Sequence, residues 1–155
     1  MKKEISEETA LQRLAAECAA AEHCSHDMLE RMKRWELPEE ARRRVLDKLV
    51  SGRYVDDQRY ARAFVREKLR YNKWGQRKIE QALWQKHIDE DTRQQALSDI
   101  TPEEYAEVLR PLLKQKRRST TASSDYELRQ KLLRFAIGRG FTLDVISLCL
   151  EIPTD

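Results

Sequence analysis

Cys18, His23, Cys24 and His26 form the only grouping in the chain that resembles a set of metal ligands. A structural zinc site takes thiolates and imidazoles, usually as two closely spaced pairs from separate segments. All four candidates here lie in one short stretch, and Cys18 also falls on an apolar stripe, so no metal is expected. Asp56-Asp57 is a carboxylate pair that could do acid/base work. Adjacent acids at a helix start are better explained by capping and by the positive end of the helix dipole. His87 has no catalytic companion, and there is neither a glycine-rich phosphate loop nor a nucleophile elbow. Trp35, Trp74 and Trp84 could stack on bases, but in a helical chain such residues are expected to seal contacts between units. Four glycines leave little room for a backbone-lined active site. The chain is read as non-enzymatic and without a cofactor.

One pattern rises above that background. Arg59, Arg62, Arg66, Arg70 and Lys73 are spaced 3, 4, 4 and 3 residues apart. On a helix they share one face, turned away from the apolar Ala61, Phe64, Val65 and Leu69, where Lys68 is the one polar exception. Fully helical, they form a cationic rail about 21 Å long. Adding 44 to Arg66, Arg70 and Lys73 gives Arg110, Lys114 and Arg117, all basic. A solvated face would account for one such run. Recurrence at matched positions, with few acids nearby, points to an anionic partner: a nucleic-acid backbone, an acidic protein groove, or both.

The elements that must carry this rail are helices. Leu11, Leu14, Ala15, Cys18 and Ala19 mark one buried helical face, as do Tyr105, Val108, Leu109, Leu112 and Leu113. Met28, Met32, Leu37, Val45 and Leu46 lie 51 residues before Ile79, Leu83, Ile88, Ala96 and Leu97. Leu128 and Leu132 open the pattern a third time, and Phe141, Val145, Cys149 and Leu150 close it. Thr101-Pro102-Glu103-Glu104 and Ser124-Asp125-Tyr126-Glu127 read as capping boxes, with Asp56, Asp89 and Thr142 as further N-caps. Pro111 falls inside a periodic run and should kink or split its helix. The expected fold is all-α: three tandem three-helix repeats in an elongated, curved, right-handed or solenoid-like array. A tail over residues 1–6 would precede units over 7–51, 52–100 and 101–155.

Composition agrees and narrows the class. A hydrophobic fraction of 40% beside a charged fraction of 37% suits amphipathic helices with solvated outer faces, and excludes disorder throughout. No apolar run is long enough to span a bilayer, and acids occupy the place of a signal peptide's apolar core. Three cysteines without a framework fit a reducing compartment, so a cytoplasmic monomer is expected. The net charge of +3 conceals segregation. Nine basic residues face two acidic ones from Arg59 to Lys86, and again from Arg110 to Arg139.

The run from Ser51 to Val65, followed by Lys73 to Ile79 and Ala82 to Ile88, resembles the RecX family, bacterial regulatory proteins of the RecA recombinase. Gly52, Tyr54, Asp56, Asp57, Arg59, Tyr60 and Ala61 carry one motif, and Gly75, Ile79 and Leu83 the next. Two features depart from the family pattern. Lys86-His87-Ile88 lacks a glycine before its apolar residue, and the first unit lacks its usual arginine. The resemblance implies a protein that docks along the groove of a RecA–DNA filament and restrains its growth, ATP hydrolysis, strand exchange and co-protease activity. It also implies weak, sequence-independent contact with single-stranded and double-stranded DNA. A general helical DNA-binding module and a repeat scaffold for another protein are the alternatives.

Overall fold

The structure, a computed structural model, describes residues 5–151, so most of the expected tail and residues 152–155 lie outside it. Among the described residues there are nine helices and no strand. They are α1 (Glu7–Ala20), α2 (Ser25–Arg34), α3 (Glu39–Ser51), α4 (Asp57–Arg70), α5 (Gln76–Gln85), α6 (Glu90–Ser98), α7 (Pro102–Ser119), α8 (Asp125–Gly138) and α9 (Leu143–Cys149). Within each triplet the first helix packs on the third, α1 on α3, α4 on α6 and α7 on α9. No extensive helix–helix contact joins the first triplet to the third, which is the signature of units stacked in a row.

Local chemistry sets the helix starts. Ser6, Asp56, Asp89, Thr101, Ser124 and Thr142 each accept a backbone N–H from the first turn of their helices. Thr101 and Glu104 complete a reciprocal capping box, with Pro102 at the first helical position. At α8 the box is shifted: Ser124 caps Glu127, but the Glu127 carboxylate accepts from Ser123 N–H at 2.9 Å. Helix α2 has no side-chain cap of its own.

The second helix of every triplet ends in the same left-handed turn. Glu36, His87 and Gly140 have φ of 60°, 58° and 98°, and the next residue's N–H reaches back to Met32, Leu83 or Ala136. This is a Schellman closure, which favours glycine. Only the third triplet supplies one. Glu36 and His87 adopt a conformation that costs an L-residue about 1–2 kcal/mol.

Pro111 neither splits nor ends its helix, because α7 runs unbroken from Pro102 to Ser119. Pro111 and Glu107 are both exposed, so the carbonyl that loses its partner lies on the wet side of the helix.

The buried side chains fall into two cores. Ala10, Leu14, Met28, Met32, Leu37, Ala41, Val45, Leu49 and Val55 close the first triplet on itself. The second and third triplets share one core, running from Tyr60 and Val65 through Ile79, Leu83 and Tyr105 to Phe141 and Ile146. Cys24 is the exception, a residue of the first triplet that sits in the shared core. Tyr105 stitches the shared core from within: its hydroxyl donates to Leu97 O at 2.7 Å, and the residue is 2% exposed. Tyr105→Phe should lower stability by about 1–2 kcal/mol, because Leu97 O is left buried without a partner. A urea titration checks this: the midpoint falls and the slope stays constant.

Candidate partner-binding site

Helix α4 buries Tyr60, Ala61, Val65 and Leu69, which fixes the direction of its other faces. Arg62, Arg66 and Arg70 then stand in solvent along one flank, beside the crevice between α4 and α6 that Arg62 lines with Gln95 and Asp99. Helix α7 repeats the arrangement. Tyr105, Ala106, Leu109 and Leu113 are buried, and Arg110, Lys114 and Arg117 line the crevice toward Cys149 and Leu150. None of Arg62, Arg66, Arg70, Lys73, Lys114 and Arg117 forms an ion pair among the described residues. These six are free to meet an anion.

Two expected members of the rail do other work. Arg59 is bound on every side: Nε to Glu22 Oε1 at 2.6 Å, Nη2 to Arg53 O at 3.1 Å and to Tyr54 O at 3.3 Å. It ties α4 to the turn after α1. Arg110 holds Glu103 at 2.5 Å and reaches Leu148 O at 3.3 Å. That pair keeps the Glu103 carboxyl below its ordinary range and the Arg110 guanidinium above its own, mainly through their shared hydrogen bond. Lys73 lies beyond the end of α4, in a turn with φ of 58°. The rail is helical only as far as Arg70.

A second cationic set escapes the sequence reading. Lys68 Nζ sits 5.3 Å from the ring centres of both Phe64 and Trp74, and Lys78 Nζ is 4.8 Å from Trp74. Across the junction, Lys116 and Arg139 lie 5.3 Å and 6.0 Å from Phe135. The negative ends of α4, α7 and α8 favour cations there, and the rings add quadrupole attraction. The one signal in the sequence was Lys68, a charge at an otherwise apolar position. Trp74 packs against the shared core, and Trp35 against the first core, with Arg13 6.0 Å from its ring. Trp84 departs from expectation: it is 64% exposed and seals nothing.

The motif residues turn out to hold the units together. Asp56 caps α4, while Asp57 Oδ1 accepts Ser25 N–H at 2.8 Å and so caps α2 of the preceding triplet. Gly75 faces Gly140 and Phe141 so closely that a Cβ on Gly75 would lie 2.2 Å from Phe141 N. Ala61, Ile79 and Leu83 are fully buried, and Tyr60 nearly so. A Cβ on Gly52 would press on the Tyr54 ring at 3.0 Å. The cysteine and histidine cluster is dispersed. Cys18 donates to Met28 Sδ at 3.7 Å, Cys24 is buried, and burial pushes its thiol up to about 12. No group of three or more metal-ligating side chains converges among the described residues. No helix among them is long and apolar enough to cross a membrane.

Residues 56–97 match the family model described as RecX, second three-helix domain, and residues 103–150 match RecX, third three-helix domain. The chain is 33% identical over 107 residues to the regulatory protein RecX of Bacillus cytotoxicus, covering 69% of this chain and 40% of that one. It is 34% identical over 110 residues to the regulatory protein RecX of Clostridium botulinum, covering 70% and 51%. The aligned stretch thus spans about half the length of these curated relatives or less. A crystal structure of a regulatory protein RecX superimposes with a TM-score of 0.82 at 26% identity, covering 92% of this chain and 70% of that one. RecX from Lactobacillus salivarius superimposes with a TM-score of 0.86 at 17% identity, a likeness of fold, covering 92% and 93%. Two matched domains in the right order, on a scaffold of tandem helix triplets, establish that the chain belongs to the RecX family.

Proposed function

We propose that this protein is a non-enzymatic, mainly negative regulator of the RecA recombinase. It binds in the groove of the RecA–DNA filament and restrains growth, ATP hydrolysis, strand exchange and co-protease activity. It acts as a cytoplasmic monomer, and the units at residues 7–51, 52–100 and 101–155 bridge neighbouring protomers of the filament. The observation that carries the reading is the set of unpaired cations along matching flanks of α4 and α7, Arg66 and Arg70 on one, Lys114 and Arg117 on the other, with Arg70 and Lys114 as direct counterparts. A row of like-charged sites on a fused scaffold suits a polymer whose own sites repeat, since weak contacts then add through effective concentration. Single-stranded and duplex DNA would both be contacted weakly, through phosphates and without reading sequence.

The test is the DNA-stimulated ATPase of RecA with substoichiometric amounts of this protein. Inhibition that persists in excess DNA is the expected result. Inhibition abolished by excess DNA would identify a general DNA-binding protein competing for the lattice. No effect would leave a scaffold for another partner.

A further inference from the structure

The two junctions between successive triplets occupy the same place in the repeat and are built differently. At the second junction the chain meets itself backbone to backbone: Gly75 N–H donates to Arg139 O and Arg77 N–H to Gly140 O, both at 2.8 Å. The corresponding residues of the preceding pair of triplets are Cys24 and His26 on one side and Lys86 and His87 on the other. These face each other through side chains instead. The rings of His26 and His87 stack with centres 4.1 Å apart and planes 9° from parallel. Lys86 Nζ donates to Asp27 Oδ1 at 2.8 Å, Arg59 Nε to Glu22 Oε1 at 2.6 Å, and Ser25 N–H to Asp57 Oδ1 at 2.8 Å.

Apolar packing repeats the contrast. The second junction lies within a continuous core, whereas the first triplet keeps its own core and contributes Cys24 alone to the other. Among extensive helix–helix contacts, one pair, α4 with α7, crosses the second junction and none crosses the first. Ion pairs as exposed as these add little to stability and are screened by salt, while a shared apolar core is not. The connection between α3 and α4 exposes residues 51–54, with Arg53 at φ of 62°, and buries Val55 in the first core, so the chain leaves that core only at Asp56.

We infer that the first triplet is a hinged arm, clasped by Glu22, Asp27, Asp57, Arg59 and Lys86, which swings off the fused second and third triplets while all three stay folded. Ionic strength sets how often the clasp opens. Swinging would let one chain vary the span between its first unit and the cationic α4–α7 side. The inference concerns the free protein and does not rest on the proposed partner.

Cys24 is a built-in reporter. It is fully buried in the seam, and separating the triplets uncovers it without melting either core. The experiment labels the intact chain under native conditions with an aromatic disulfide reagent, locating each modified cysteine by peptide mass spectrometry. Amide hydrogen exchange is followed in parallel. Between about 0.05 and 0.5 M salt, Cys24 labelling should rise roughly three- to tenfold. Asp57→Asn and Lys86→Gln should each raise it about three- to tenfold at fixed salt. Amides of Met28 and Met32 in the first core, and of Ile79, Leu83 and Leu109 in the second, should keep their protection throughout. Cys24 labelling that tracks those core amides, or that salt leaves unmoved, overturns the hinge. The salt series on the unaltered chain decides the matter even if a variant folds poorly.

Discussion

Gly75→Ala should unfold the protein more readily than alanine at Gly52, Gly138 or Gly140. The new Cβ would stand 2.2 Å from Phe141 N and 2.4 Å from both Gly140 C and Phe141 Cα. All three neighbours are backbone, so no rotamer change relieves the contact and the two turns must separate. Separation breaks the hydrogen bonds from Gly75 to Arg139 and from Arg77 to Gly140, and it opens a core shared by two triplets. Overpacking in cores costs about 1–3 kcal/mol where side chains can yield. Here a loss of about 3–5 kcal/mol is expected, a large share of the ~5–15 kcal/mol typical of a folded domain. The melting temperature should fall by roughly 10 °C, read by circular dichroism. Gly138→Ala is the matched control: nothing lies within 4 Å of its Cβ, and alanine at a helix end should be neutral or stabilise slightly. Equal losses in both variants would mean that close approach is not what Gly75 provides.

That contrast shows what the residues disclosed in advance and what they did not. The 51-residue spacing of Met28, Met32 and Leu37 against Ile79, Leu83 and Ile88 placed these residues in a core, and all six are buried. Amphipathic period and cap chemistry are local, so they survive in a linear reading. Pairings across the junctions are not local. Asp57 looked like a second cap for its own helix and instead caps α2, 32 positions back. Arg59 has the spacing of a rail residue, yet Glu22 and two carbonyls immobilise it. Spacing predicts which way a side chain points; it does not predict what has folded up against it. His87 is the subtler case. The turn demands a left-handed residue and usually receives glycine, and its absence was legible only as a departure of the second unit from the family pattern. The physical consequence is an imidazole in place of a bare backbone, stacked on His26 where the next junction has two main chains in contact.

Reversing charge at Arg66, Arg70, Lys114 and Arg117 together, each to Glu, should abolish regulation while sparing the fold. None of the four forms an ion pair among the described residues, and all are exposed, so the melting temperature should move by no more than a few degrees. Arg110 is left intact because its hydrogen bond to Leu148 O ties α7 to α9 while its pair with Glu103 braces α7 itself, and reversing it would confuse folding with binding. If the rail meets anionic groups of the RecA filament, affinity at moderate salt should drop by about a hundredfold or more. Where those groups are single-strand phosphates, each contact removed should also flatten the dependence of log affinity on log salt by about 0.7. A companion variant, Lys68, Lys78 and Lys116 each to Gln, addresses the cations over Phe64, Trp74 and Phe135 on the other flank of α4. Titrating each variant with free single-stranded DNA and with the assembled filament separates the two surfaces. Loss toward the filament alone assigns the surface to protein, and parallel loss toward both assigns it to nucleic acid. If the rail variant keeps both its affinity for the filament and its salt slope, the arginines of α4 and the lysine and arginine of α7 are a solvated face. The regulator would then have to bind through the exposed Trp84 side or the first triplet instead.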